Sequence, residues 1–319
     1  MRRVSTKPIV SVICLTFNHA KYVRDCLDGF VMQQTNIPYE VLIYDDASTD
    51  GTPAIIEEYV EKYPNIFKAT LYKKNNYSQG LGYVGLYTGI KEAQGKYVAY
   101  CEGDDYWTDS KKLQKQVDFL ESHPGYEICA HEVTVKYADG KEVAFSDFEN
   151  NLFISVKNSD YTFDDILTGN IIHISSMMYR NFEMQLPEWL PHISACDMVL
   201  YRLMGEQGKL HILPESMSVY RDHKDSLTSS NTEYNSAIKY YTRLSIPVLE
   251  KLNIYWHRKY QDKIYPIIAQ YYAECAWLYT KKSMRNFRMC RQMMHEAKQF
   301  DGHAARRYFM KKIMNRLFG

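Results

Sequence analysis

In "YVAYCEGDDYW", residues 97–107, a strand-like apolar run ends in three carboxylates, Glu102, Asp104 and Asp105. Oxygen ligands on a rigid strand end suit a hard divalent cation, with positions left for phosphate oxygens and water. Adjacent Asp104 and Asp105 also repel each other unless a cation separates them. A solvated turn, with Asp105 or Asp109 capping the next helix, would account for the same residues. "YDDASTDG" poses a similar choice. Asx-turns and a helix cap explain Asp45, Asp46 and Ser48 without a ligand, whereas a binding role has Asp46 accepting hydrogen bonds from a base or ribose. Asp197, in "SACDMVLYRLM", is either a first-turn acid favoured by the helix dipole or a general base at a helix start. Arg221 and His223, in "VYRDHKDS", share a polar loop where both could contact a diphosphate or a metal.

These residues need elements to position them. "PIVSVICL" and "YEVLIY" are continuous apolar runs of the kind buried on both faces of a parallel sheet. "FKATLY" and "KYVAYC" predict two more strands. Between them the spacing predicts helices, one after Asn18 as its cap, one with Pro53 near its start, and one over residues 83–94. "SKKLQKQVDFLESHPG" is an amphipathic helix stopped by Pro124 and Gly125. This alternation predicts an α/β fold, mostly parallel, with helices on both faces. Ligands in such sheets bind beyond the carboxyl ends of the strands. "TFN", "DDAS", "NNYSQG" and "EGDD" all fall there, and four polar strand ends on one edge argue for a site more strongly than one charged turn.

After residue 125 a hairpin turning at Asp139-Gly140, strands in "HISSMMYR" and "GKLHILPESMSVYR", and a helix around Asp197 are predicted. From about Asn231 the chain is helical in character, which sets a boundary near residue 230. "GLGYVG" matches a dinucleotide-binding pattern, but it does not directly follow the first strand, and a flexible loop and helix packing explain it better.

The net charge of +1 over 319 residues offers no global attraction to nucleic acid, and no apolar run is long enough to span a bilayer. Seven scattered cysteines include no CxxC pair and no zinc spacing, which suits a reducing cytoplasm. The tail is basic: from Lys281 onward only Glu296 and Asp301 oppose a run of lysines and arginines. "RRYFMKKIMNRLF" interleaves cations with large apolar residues, as a peripheral membrane helix would, although core packing explains the apolar ones equally well.

Taken together, "VSVICLTFNHAKYVRDCLDGFVMQQ", "YEVLIYDDASTDGT" and "GKYVAYCEGDDYWTDSKKLQKQVDFL" resemble the family 2 glycosyltransferases of GT-A fold. The likeness covers roughly residues 8–225 and is strongest in the first 125. It implies a nucleotide-diphosphate sugar donor, a Mg2+ or Mn2+ ion and inversion at the anomeric carbon. By position, Thr16, Phe17 and Asn18 would line the nucleoside pocket, Asp46 would hold the base and Asp104 would contact the ribose or sugar. Asp105 would ligate the metal, Asp197 would activate the acceptor, and the loop carrying Arg221 and His223 would close over the diphosphate, with His223 a further metal ligand. Three positions depart from the family pattern: Glu102 replaces an Asp, Cys196 replaces the acid before the base, and Leu86-Tyr87 replaces an Arg-Asn pair.

The expected domains are residues 1–230, with a donor-binding half at 1–125 and an acceptor half at 126–230, followed by a basic helical region at 231–319. The processive Gln-x-x-Arg-Trp signature is absent, so transfer of a single sugar is expected, from a UDP-sugar to a glycan or lipid-linked precursor of a cell-surface polysaccharide. The expected location is the cytoplasm or the inner face of the membrane. A nucleotide-sugar-binding module without catalysis is the rival from another class. A sugar nucleotidyltransferase is less favoured, because "TFNHAKY" is not a Gly-rich basic phosphate loop.

Overall fold

A computed structural model describes residues 7–81, 83–147, 158–169, 171–182, 185–193, 196–223, 237–281 and 284–318. Chain order runs β1 (Val10–Thr16), α1 (Val23–Val31), β2 (Tyr39–Asp45), α2 (Thr52–Lys62), β3 (Phe67–Leu71), α3 (Val84–Glu92) and β4 (Tyr97–Glu102). It continues through β5 (Tyr106–Trp107), α4 (Lys112–Ser122), β6 (Tyr126–Tyr137), β7 (Glu142–Ala144), β8 (Asp160–Tyr161) and α5 (Phe163–Thr168). Then come β9 (Met178–Arg180), α6 (Cys196–Gln207) and β10 (Lys209–Asp222). Helices α7 (Ile246–Tyr255), α8 (Gln261–Leu278) and α9 (Phe287–Phe318) follow.

The strands form one mixed, mostly parallel sheet in the order β3-β2-β1-β4-β9-β6-β10-β5, with β7 on β6 and β8 on β10. The parallel pairs are β1 with β2 and β4, β2 with β3, and β6 with β10. The strand order switches direction between β1 and β4, and at such a switch point ligands bind in the crevice beyond the carboxyl ends. Alternation decides the two faces. Val10, Val12 and Cys14 of β1 join Val41, Ile43, Tyr97, Ala99 and Cys101 beneath Val23, Leu27 and Phe30 of α1. Burying each of the Val, Ile, Leu and Phe side chains among them contributes about 1.5–3 kcal/mol. On the opposite face α3 lies close, since a Cβ at Gly85 would meet Tyr44 at 2.8 Å and one at Gly89 would meet Ile13 at 2.9 Å. Of the described glycines in "GLGYVG", Gly85 serves helix packing, whereas Gly80 sits in left-handed backbone at φ 76 with open space around it.

Two local expectations are corrected. Asn18 does not cap α1: it sits in left-handed backbone at φ 56, and the helix starts five residues on, after Tyr22, with no side-chain cap. The strand expected from His173 begins only at Met178. Before it, the Ser176 hydroxyl donates to the His173 carbonyl at 2.7 Å and winds Ile174–Ser176 into a 3-10 turn.

The chain divides into two compact units, residues 1–149, 155–166 and 170–229, and residues 150–154, 167–169 and 230–319. Within the second, α8 and α9 pack through Ala269, Ala273, Ala297 and Ala305. Helix α9 breaks at Asp301 (φ -151, ψ 95), whose Oδ1 accepts from the amides of His303 and Ala304, each at 2.9 Å, and so caps its second half. No described helix is long and apolar enough to cross a membrane. All seven cysteines are free thiols.

Candidate active site and metal centre

The acidic turn lies against the end of β1. Leu15 is in register with Glu102, and the Gly103 amide donates to the Leu15 carbonyl at 2.8 Å. A Cβ at Gly103 would stand 2.5 Å from Thr16 Cγ2 and 2.9 Å from His19 Nδ1, so only glycine permits this approach.

Glu102, Asp104 and Asp105 can each present an oxygen within 4.8 Å of the others. Asp105 is 1% exposed. Its Oδ1 accepts from the Arg221 amide at 3.0 Å, and its Oδ2 has no hydrogen-bond partner. Asp104 presents Oδ2 to Nε2 of His223 at 3.2 Å and of His19 at 3.6 Å, while its buried Oδ1 also lacks a partner. Burial, then the Asp104 charge, pushes the Asp105 carboxyl well above its ordinary pKa. Burial, then Asp104 and Asp197, pushes Glu102 up to about 8. Burial also works against the charge of Asp104, but the His223 hydrogen bond and the nearby His19 outweigh it and hold that carboxyl low. Converging carboxylates with two orphaned buried oxygens are the donor set a hard divalent cation satisfies. The residues present fit one.

Beside the acidic turn, the loops after β1 and β2 are stitched together. Thr16 Oγ1 donates to Asp45 Oδ1 at 2.8 Å, the Thr49 amide to Asn18 Oδ1 at 2.9 Å, and the Asn18 amide to Ser48 Oγ at 2.8 Å. The Asx-turn belongs to Asp45, whose Oδ2 takes the Ser48 amide at 2.9 Å. Asp46 instead accepts from the Asn76 amide and side chain, both at 2.8 Å, and from the Tyr77 amide at 3.0 Å, anchoring the loop after β3. Phe17 stands 44% exposed beside them.

Arg221 joins β10 to the acidic turn. Its guanidinium donates to the Asp104 carbonyl at 2.7 Å, pairs with Asp25 and lies 4.2 Å from the Tyr106 ring centroid. The His223 ring packs 4.8 Å from that of Tyr22. Asp197, in the first turn of α6, falls within electrostatic range of Glu102 and Tyr83. Burial raises its carboxyl pKa, with the Met198 amide and Arg202 opposing.

Thus Asp104, Asp105, Arg221 and His223 converge, Thr16 to Asn18 and Asp46 form one adjoining edge, and Asp197 lies within electrostatic range of Glu102. His223 bonds to Asp104 and does not join the three acids in a shared ligand cluster. Two histidines escaped the sequence reading. His19 sits one residue past "TFN", a strand-end position that could have signalled it. His173 places Nδ1 3.8 Å from Asp105 Oδ2 and also 2.9 Å from Ser175 Oγ. Its place inside an apolar run gave no signal.

The fold is that of solved glycosyltransferases. The mannosyltransferase PcManGT from Pyrobaculum calidifontis, in complex with GDP-Man and Mn2+, matches at TM-score 0.54 and 17% identity over 98% of this chain and 81% of that one. TarS from Staphylococcus aureus, in complex with UDP-GlcNAc, matches at TM-score 0.54 and 17% identity over 96% and 92%. In sequence TarS, a poly(ribitol-phosphate) beta-N-acetylglucosaminyltransferase, is 24% identical over 257 residues, 80% of this chain and 42% of that protein. Residues 11–202 match Glycosyl transferase family 2, and the chain belongs to that family. Protein Rv1520 of Mycobacterium tuberculosis is 37% identical over 226 residues, covering 69% of this chain and 61% of that relative's length.

Proposed function

We propose that this chain transfers one sugar, with inversion, from a nucleotide-diphosphate sugar to a hydroxyl of a glycan or lipid-linked precursor in cell-surface polysaccharide synthesis. A UDP-sugar is the favoured donor. The observation that carries the reading is the three-carboxylate cluster, with its two orphaned buried oxygens, at the β1–β4 crevice of a family 2 domain. Residues 1–230 would form the transferase, its donor half at 1–125 and its acceptor half at 126–230, with 231–319 a basic helical extension.

Thr16, Phe17 and Asn18 line the nucleoside, and the carboxylate of Asp46 faces the base while holding its loop. Asp104 contacts the ribose or sugar. Asp105 would hold a Mg2+ or Mn2+ ion, with His223 reaching it from its place on Asp104 Oδ2, and the ion would offset charge on the diphosphate. Arg221 brings its guanidinium to the same oxygens. Asp197 takes the proton of the acceptor hydroxyl as that oxygen bonds to the anomeric carbon. The carbon–oxygen bond to the diphosphate breaks on the opposite face, and the nucleoside diphosphate leaves with the bonding pair. The raised pKa of Asp197 makes it a better proton acceptor than a solvated carboxylate. The work site is proposed as the cytoplasmic face of a membrane, where lipid-linked precursors reside.

The test is release of nucleoside diphosphate from a panel of nucleotide sugars, with and without Mn2+, in the presence of glycan and lipid-linked acceptors. Metal-dependent release that Asp105→Asn abolishes supports the assignment. Binding of donors without release under any acceptor condition overturns it in favour of a binding module.

A further inference from the structure

The second half of α9 is two-sided. Ala304 and Ala305 are buried, and Tyr308, Phe309 and Lys312 are half-buried beside them. Lys312 Nζ lies 3.0 Å from Glu274 Oε2 of α8, which also accepts from the Tyr308 hydroxyl at 2.7 Å. The other side carries His303, Arg306, Arg307, Met310, Lys311 and Met314, all exposed. Their spacing is i, i+3, i+4, i+7, i+8 and i+11, one continuous helical stripe. Met310 is 53% and Met314 49% exposed, one turn apart. Arg306, Arg307 and Lys311 make no ion pair among the described residues, and the sequence from Gly302 to its end contains no carboxylate side chain.

We propose that this stripe binds an anionic lipid bilayer, with Met310 and Met314 entering the headgroup boundary and Arg306, Arg307 and Lys311 on the lipid phosphates. The proposal deepens the membrane-side reading above by naming the surface that makes contact. Charge and shape select the occupant. A nucleic acid would use the cations and leave both methionines in water. An apolar protein partner would bury the methionines and strand three cations. A bilayer interface takes both at once. Lone exposed apolar side chains are ordinary on any surface; two in one stripe, bracketed by unpaired cations, are not.

The full chain is tested by flotation with phosphatidylglycerol–phosphatidylcholine vesicles and with phosphatidylcholine alone. It should bind the anionic vesicles only and leave them as salt is raised toward about 1 M. Combined Arg306→Ser, Arg307→Ser and Lys311→Ser should weaken partition on the order of 100-fold. Met310→Ser with Met314→Ser should weaken it roughly tenfold and keep the salt sensitivity. A cooperative thermal transition at the wild-type Tm in both variants shows that each is folded. Absence of wild-type binding to anionic vesicles, binding by the variants equal to wild type, or capture of a DNA duplex as tight as vesicle capture overturns the proposal. Nucleoside diphosphate release is scored separately, so failure at the membrane leaves the transfer reading standing, and the reverse also holds.

Discussion

Arg221 grips both vicinal acids through different groups: its amide donates to Asp105 Oδ1 at 3.0 Å, and its guanidinium donates to the Asp104 carbonyl at 2.7 Å. The end of β10 therefore fixes how the strand-end acids face the crevice. One Asp105 oxygen is held by the protein, and the other is left for a ligand.

Asp105→Asn should preserve the bond to the Arg221 amide, since the amide oxygen still accepts. It also removes a buried charge whose carboxyl burial already pushes toward the neutral form. The variant should therefore melt no lower than wild type without metal, yet lose the rise in Tm that Mn2+ with UDP produces. Thermal scans with and without both additions check this. A full ligand-induced rise in the variant would remove Asp105 as the metal ligand.

Asp197→Asn keeps shape and removes the proton acceptor. Transfer should slow by about 10²–10⁴-fold, with donor affinity unchanged. Steady-state nucleotide release and donor titration separate the two. Undiminished transfer would show that the base lies elsewhere.

Gly103→Ala introduces a Cβ where Thr16 Cγ2 stands 2.5 Å away. Thr16 is buried and β-branched, so the strand end or the acidic turn must shift. Overpacking of this kind costs about 1–3 kcal/mol. Urea denaturation should report that loss, and Mn2+-dependent UDP binding should weaken with it.

Lys112 is fully buried, 4.1 Å from the Trp107 ring centroid, with Nζ donating to Gln116 Oε1 at 2.6 Å. Burial lowers its pKa from 10.5 to about 7. Between about pH 7 and 10.5 the unfolded chain holds a proton that the native state has released, so stability rises with pH in that window. Lys112→Met binds no proton in either state. The stability of wild type relative to this variant should climb from pH 7 to pH 9, by up to about 1.4 kcal/mol per unit. Paired denaturation curves at the two pH values measure it; a flat or falling difference would refute the neutral buried lysine.

Residues 1–125 were the more legible part of the chain. Val10 to Thr16, Tyr39 to Asp45 and Tyr97 to Glu102 are strands because mainly apolar runs, interrupted only by the mutually bonded Ser11 and Glu40 before their polar ends, have no solvent face to offer. Asn18 shows where local rules fail. Its side chain had an attractive cap role in sequence, but the Thr49 amide on the neighbouring loop claimed its Oδ1. Asp46 similarly reads as a turn residue, and tertiary contact gives it the loop at Asn76 and Tyr77 instead. His173 was invisible for a related reason. It lies 68 residues beyond Asp105, and only the placement of β9 and the turn before it brings the ring to that carboxylate.

Periodicity and residue type alone determined a mostly parallel α/β sheet with acids at a strand carboxyl end, because burial patterns and strand-end chemistry are local properties of the chain. Tertiary structure decided which of those acids keep an oxygen available, which histidines face them and where Asp197 stands relative to Glu102. Those relations depend on strand order and on hydrogen bonds between distant loops, which no spacing along the chain encodes.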